Sequence, residues 1–150
     1  MTVEFTLLGP PVAKGRPKFS RQGSFVKAYT PKKTVDYETL VRFSYIEASE
    51  NKMFPEGKAL TVRIRAFLPI PKSVSKKKAL DMKKGLISHI KKPDTDNIVK
   101  SVMDGLNTIA FHDDSQVTRI LAEKSYSDVP RIEVLITDEE GIFTFRRKKI

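Results

Sequence analysis

Leu60-Thr61-Val62-Arg63-Ile64-Arg65-Ala66-Phe67-Leu68 is the stretch that decides the fold class. Leu60, Val62, Ile64, Ala66 and Leu68 alternate with Thr61, Arg63, Arg65 and Phe67, the two-residue period of a strand buried on one face. Pro69 and Pro71 end it. Towards the N-terminus, Tyr37, Leu40, Val41, Ser44, Tyr45 and Ala48 fall at helical spacing. With Thr30 as N-cap and Pro31 at the first helical position, a helix is expected over residues 31–50, closed before Phe54-Pro55-Glu56-Gly57. Earlier still, Glu4 to Leu8 reads as a short strand ended by Gly9-Pro10-Pro11. Phe19 and Phe25-Val26 flank Arg21-Gln22-Gly23-Ser24 as in a hairpin.

Towards the C-terminus, residues 73–84 suit a short, very basic helix stopped by Gly85. Residues 87–90 suit a short strand. From Asp96 the spacing turns helical: Ile98, Val102, Leu106 and Ile109 share one face, and the helix is expected to stop near Asn107. Residues 117–126 and 131–137 are two strands separated by Ser127-Asp128-Val129-Pro130, spaced as an antiparallel hairpin. Asp138-Glu139-Glu140-Gly141 leads into a basic tail, Arg146-Arg147-Lys148-Lys149. With no repeat or linker in view, residues 1–150 read as one α+β domain, a mixed sheet packed with helices.

Composition narrows the partners. The chain has 150 residues, 39% of them hydrophobic, which is enough for a core. It has no cysteine, so disulfides, zinc fingers, iron–sulfur clusters and thiol nucleophiles are excluded together. No 18-residue apolar run and no signal-peptide pattern is present, so no membrane partner is expected, and a cytoplasmic, nucleoid-associated location is the default. The formal charge is +10 and the pI about 9.8. Nucleic acid is the commonest polyanion such a surface meets. The charge is also uneven: between Lys14 and Lys33 stand seven basic residues and no acidic one.

Against this basic background the acidic residues cluster. Asp94 and Asp96 stand where the chain bends into a helix, and Asp113-Asp114 follow after a helix of about three turns and a reversal. If the two pairs meet, their repulsion requires a cation, and oxygen-only ligands suit Mg²⁺, with Mn²⁺ accepted too. Such a site can activate water for phosphodiester cleavage. Lys100, four residues after Asp96 and so on the same helix face, could stabilise the charged transition state. Asp104 continues that face, and its plain reading is an ion pair with Lys100. Each acid has a plain reading as well: Asp94 as an N-cap, Asp96 as a complement to the helix dipole, Asp113-Asp114 as a solvated turn. His89 and His112 lack metal-motif spacing, and no Gly-rich phosphate loop or serine–histidine–aspartate arrangement is present.

At these residues the sequence resembles the RusA family of Holliday junction resolvases, common in phages and prophages. The match rests on Lys92-Pro93-Asp94-Thr95-Asp96-Asn97, Lys100, Asp104-Gly105-Leu106-Asn107 and Asp113-Asp114-Ser115-Gln116-Val117, together with Lys14-Gly15-Arg16-Pro17-Lys18 and Tyr29-Thr30-Pro31. The resemblance implies a RusA-like fold and Mg²⁺-dependent cleavage of four-way DNA junctions by a homodimer, in recombination and repair. It implies Asp94, Asp96 and Asp114 as catalytic metal ligands, Lys100 as the catalytic lysine and Asp113 as a supporting ligand. Lys124 also looks like a family position.

Paired cuts on opposing strands suit a two-fold dimer. The arm with Lys14, Arg16, Lys18 and Arg21, the segment with Lys76, Lys77, Lys91 and Lys92, and Lys124 would then face DNA, mainly through phosphates. The tail beyond Asp138 and the basic segment from Lys72 to Lys92 set this chain apart from shorter members. Two alternatives stand beside the resolvase: a less selective endonuclease for branched or flapped DNA, and a non-catalytic basic DNA-binding protein.

Overall fold

In the computed structural model, residues 1–139 are described, so the basic tail Arg146 to Lys149 lies outside the described residues. The elements run β1 (Thr2–Leu8), β2 (Lys18–Gln22), β3 (Phe25–Tyr29), α1 (Lys32–Ala48), β4 (Leu60–Pro69), α2 (Lys76–Lys83), α3 (Thr95–Leu106), a 3₁₀ turn at Asp114–Gln116, β5 (Val117–Ser127) and β6 (Arg131–Thr137). Four strands form one mixed sheet in the order β1-β6-β4-β5. β2 and β3 pair separately as an antiparallel hairpin. This is the single α+β domain expected.

The alternation read in residues 60–68 explains the layering. Leu60, Val62, Ile64, Ala66 and Leu68 point inward with Val3, Phe5 and Leu7 of β1 and Ile132, Val134 and Ile136 of β6. Against them pack Tyr37, Val41 and Tyr45 of α1 and Ile98, Val102, Met103 and Leu106 of α3. Among the described residues, the opposite face of the sheet carries no helix-like apolar cover but a lattice of charges. Arg65 pairs with Glu123 (2.8 Å) and Glu133 (3.4 Å), and Arg131 pairs with Glu133 (3.0 Å) and lies over the Phe67 ring. A sheet buried on one side and ionic on the other is how the two-residue period becomes a two-layer domain.

Four local expectations need correction. Residues 117–126 and 131–137 are strands, but they do not pair with each other. β4 lies between them, parallel to β5 and antiparallel to β6. Hairpin spacing presumes that neighbours in sequence pair. Here β4, the strand with the longest alternating pattern, occupies the slot where both its edges are bonded. Residues 87–90 form no strand: Leu86 is 73% and Ile90 87% exposed, while His89 is buried. Helix α1 starts at Lys32, with Pro31 rather than Thr30 at the cap position; Pro31 has no side-chain cap, and its carbonyl accepts from the N–H groups of Thr34 and Val35.

Helix α2 is shorter than expected, beginning after Ser75, whose hydroxyl accepts from Lys78 N–H, and Gly85 adopts φ +77° just past its end. Among the described residues no helix is long and apolar enough to cross a membrane.

Candidate active site

The site is built around the start of α3. Asp94 occupies its N-cap position, and Asp96 sits in its first turn. An aspartate at that position ordinarily accepts a backbone N–H of its own helix. Asp94 does not; its carboxylate, about half exposed, instead pairs with Lys92 Nζ at 3.0 Å. Asp96 and Lys100 are exposed. The Lys100 ammonium lies 3.5 Å from Asp104, the i,i+4 pair expected of those two residues.

Asp104 has a second, closer partner. Lys14 Nζ lies 3.0 Å from Asp104 and 2.6 Å from Glu38 of α1. Burial works against the Lys14 charge, but the hydrogen bonds to Glu38 and Asp104 outweigh it and hold its ammonium pKa above the ordinary lysine value. The N-terminal arm is thereby tied to both helices. Lys14 N–H donates to Asn97 O (2.9 Å), the Ser101 hydroxyl reaches Val12 O (2.7 Å), and Gly15 N–H donates to Thr34 Oγ1 (3.0 Å). Between this arm, the start of α1 and the 92–97 segment runs an open groove of about 480 Å³. Asp94 is on its wall together with Lys33, Lys92, Asn97 and the apolar Val12, Pro31 and Pro93.

The second acidic pair lies beyond the far end of α3. Asp113 Oδ2 accepts from Ser115 N–H at 3.2 Å, capping the 3₁₀ turn. The Ser115 side chain and backbone hold its carboxyl below the usual carboxylate value. Asp114 is exposed. Gln116 fixes this loop: its Nε2 donates to Pro55 O (3.0 Å) and Lys58 O (3.2 Å), and its Oε1 accepts from His112 N–H (3.0 Å). Among the described residues, no group of three or more His, Asp or Glu side chains lies close enough to hold a metal ion. The donor chemistry nevertheless fits Mg²⁺, which binds through one or two carboxylates and keeps several waters. Asp94 and Asp96 supply hard oxygens that are not committed to backbone hydrogen bonds, whereas one oxygen of Asp113 is.

The basic residues divide into two groups. Arg16, Lys18, Arg21, Lys76, Lys77, Lys91 and Lys92 are exposed. Lys14 and Lys124 are only partly exposed, and their ammonium groups are engaged by the protein itself. Lys124 Nζ donates to Lys91 O (2.6 Å) and Pro93 O (3.0 Å), around the cis Lys92–Pro93 peptide. Nearby, the His89 ring packs at a tilt of 54° against Tyr126, and burial followed by the charges of Lys124 and Lys91 pushes its imidazole pKa below the ordinary value.

Glu38, Ser101 and Gln116 were not assigned roles from sequence. Ser101 left a signal: it is a polar residue on the apolar stripe of α3, fully buried, and such residues need a partner. Glu38 left none, because its partner is 24 residues away.

Residues 9–137 match the family described as Endodeoxyribonuclease RusA. The chain is also similar to "Uncharacterized protein YqaN" of Bacillus subtilis (strain 168), with 38% identity over 141 residues, covering 91% of this chain and 96% of that protein.

Proposed function

The chain belongs to the RusA endodeoxyribonuclease family and is a nuclease of that general type; from that premise we propose that it resolves four-way DNA junctions by paired phosphodiester cleavage, as a Mg²⁺-dependent homodimer in which Mn²⁺ can substitute. The observation that carries this reading is the state of Asp94. A capping bond from this position would be worth about 1 kcal/mol to the helix. Asp94 forgoes that bond and presents a half-exposed carboxylate to the groove wall. A carboxylate held in place by the fold, whose partner is the exposed Lys92 ammonium rather than its own helix, is available for chemistry.

Asp94 and Asp96 are the proposed metal-binding pair. The expected meeting with Asp113 and Asp114 is not made within the described residues of one chain, so Asp114, with Asp113 as a helper through its remaining oxygen, is proposed to join as a third catalytic acid only in the assembled homodimer. The ion, when bound, would polarise the phosphodiester and lower the pKa of the attacking water. The protein's own residues do the rest. Lys100, on the Asp96 face of α3, brings positive charge towards the phosphate oxygens as they gain negative charge. Asp104 steadies that ammonium without burying it, since the Lys100 side chain stays 62% exposed. Lys76 and Lys77 stand in the first turn of α2, where the helix dipole opposes them and no acid compensates. A DNA phosphate would relieve that conflict. Arg16, Lys18, Arg21, Lys91 and Lys92 extend the same basic surface.

The test is side-by-side digestion, in Mg²⁺, of a mobile four-way junction, a flap and a linear duplex of shared sequence. Paired nicks in the junction, with the other substrates cut at least about tenfold more slowly, are expected from differential transition-state binding. Equal cutting of all three sinks junction selectivity and favours the branched-DNA endonuclease. No cutting in Mg²⁺ or Mn²⁺ favours the non-catalytic binding protein.

Lys100→Ala gives a second check. It is expected to slow single-turnover cleavage on the order of a hundredfold, as for loss of one charge-stabilising donor, with junction affinity changed by less than about threefold. A loss of affinity in proportion to rate would make Lys100 a phosphate contact instead.

A further inference from the structure

We propose that Lys124 is a positioning residue for Asp94: from the sheet edge it clamps the segment that presents that carboxylate, rather than contacting DNA phosphate. The proposal rests on the reading of Asp94 as part of the active site. Lys124 lies on β5, the outer strand beside β4, in register with Ala66. An ammonium has three donors. Two of those on Lys124 are directed to Lys91 O and Pro93 O, the carbonyls on either side of Lys92. Pro93 is joined directly to Asp94, so the clamp ends one peptide from the carboxylate.

The segment needs such a clamp. Residues 86–93 contain no helix or strand, and Leu86 and Ile90 face solvent. Apolar burial therefore does little to hold it. Its other anchor is His89, 8% exposed, whose ring centroid lies 4.6 Å from that of Tyr126. Lys124 and Tyr126 are two apart on one strand and so share a face. One face of β5 thus holds the segment twice, by a charge-assisted pair of hydrogen bonds and by a ring contact. A lysine serving chiefly as a phosphate contact would keep its ammonium in water. Here two of its donors already have protein acceptors.

Removing the ammonium leaves two carbonyls to water and lets the 91–94 turn wander. Catalysis is sensitive to this, because a displacement of about 1 Å at a reacting group can lower the rate roughly a hundredfold. Lys124→Met keeps the aliphatic stem and removes the donors. Three readouts are compared with wild type in the full chain. Amide hydrogen exchange of Ile98, whose N–H donates to Asp94 O (3.1 Å), is expected to accelerate about tenfold or more, with the sheet unchanged. Single-turnover junction cleavage is expected to fall about tenfold to a hundredfold, and half-maximal Mg²⁺ to rise. Junction affinity and its salt dependence are expected to hold.

Lys124→Arg retains N–H donors and charge and is expected to restore part of the exchange protection. It also gives the same readout should the methionine variant fold poorly. The proposal is overturned if exchange of the Ile98 amide is unchanged in Lys124→Met. It is equally overturned if affinity falls and the salt slope drops by about one while cleavage at saturating DNA is kept, the mark of a phosphate contact. If wild type cuts no DNA, the nuclease reading fails on its own, and the exchange data still decide the clamp.

Discussion

Asp96→Asn protein is expected to bind a four-way junction as tightly as wild type or more tightly, and to cut it at least a hundredfold to a thousandfold more slowly in Mg²⁺, about 3–4 kcal/mol of lost transition-state stabilisation. The substitution keeps the size and shape of the side chain and removes one negative charge. If Asp96 is a metal ligand, a neutral amide is a far poorer one for a hard divalent cation. Binding is retained because the lost charge had faced the incoming phosphates. The plain reading of Asp96, a complement to the α3 dipole, makes a different prediction. It allows a loss of stability of about 0.3–1 kcal/mol and no effect on the chemical step. Thermal melting and single-turnover cleavage of one sample therefore separate the two. Near-normal cleavage with a small drop in melting temperature would return Asp96 to the dipole and leave Asp94 as the sole acid of that pair. Restored cleavage in Mn²⁺, which accepts nitrogen and amide ligands more readily, would further identify the defect as one of metal binding.

Gly105→Ala is expected to destabilise the whole domain by about 2 kcal/mol net, lowering the melting temperature by roughly 4–8 °C. Helix propensity alone predicts the reverse, since alanine is favoured over glycine in a helix interior by about 1 kcal/mol. Packing decides the sign. A Cβ at Gly105 would lie 2.9 Å from Glu38 O and 2.9 Å from both Cβ and Cγ1 of Val41. One obstacle is backbone, and the other is a β-branched side chain with little rotamer freedom. Neither can swing aside, so α3 must move off α1. That movement would also pull Asp104 from Lys14, whose other partner is Glu38 on α1. Weaker DNA cleavage should accompany the lower stability. A variant that melts at or above wild type would mean that α1 and α3 do not approach this closely.

Gly105 also marks how far local reading reaches. A glycine inside a helical pattern signals close packing or a function, but not which helix comes near. Ser101 is similar: a buried hydroxyl on an apolar stripe asks for a partner, and only the fold names Val12 O. The N-terminal arm had been expected to face DNA as a whole. Arg16, Lys18 and Arg21 are exposed, yet Lys14 turns inward to Glu38 and Asp104. Composition could not separate it from its neighbours, because a lysine's environment depends on which carboxylates the fold brings beside it.

Sequence by itself determined most of the elements and the family. A two-residue period placed β4 and helical spacing placed α1 and α3, an apolar run closed by Gly9-Pro10-Pro11 placed β1, and the resemblance carried by the motifs around Asp94, Asp96, Lys100, Asp114 and Gln116 pointed to a RusA-type nuclease. The periods are properties of short windows, where the spacing of side chains along a strand or helix is set by backbone geometry alone. The tertiary structure decided the rest. It inserted β4 between β5 and β6, and it left residues 87–90 without a strand. It also engaged Lys14 and Lys124 within the protein while leaving Asp94 free of its own helix. Each of these depends on contacts between segments far apart in the chain. A strand takes the slot in which the most backbone groups and apolar surface are satisfied, and a charged group takes the partner that packing brings within reach; neither is encoded in local spacing.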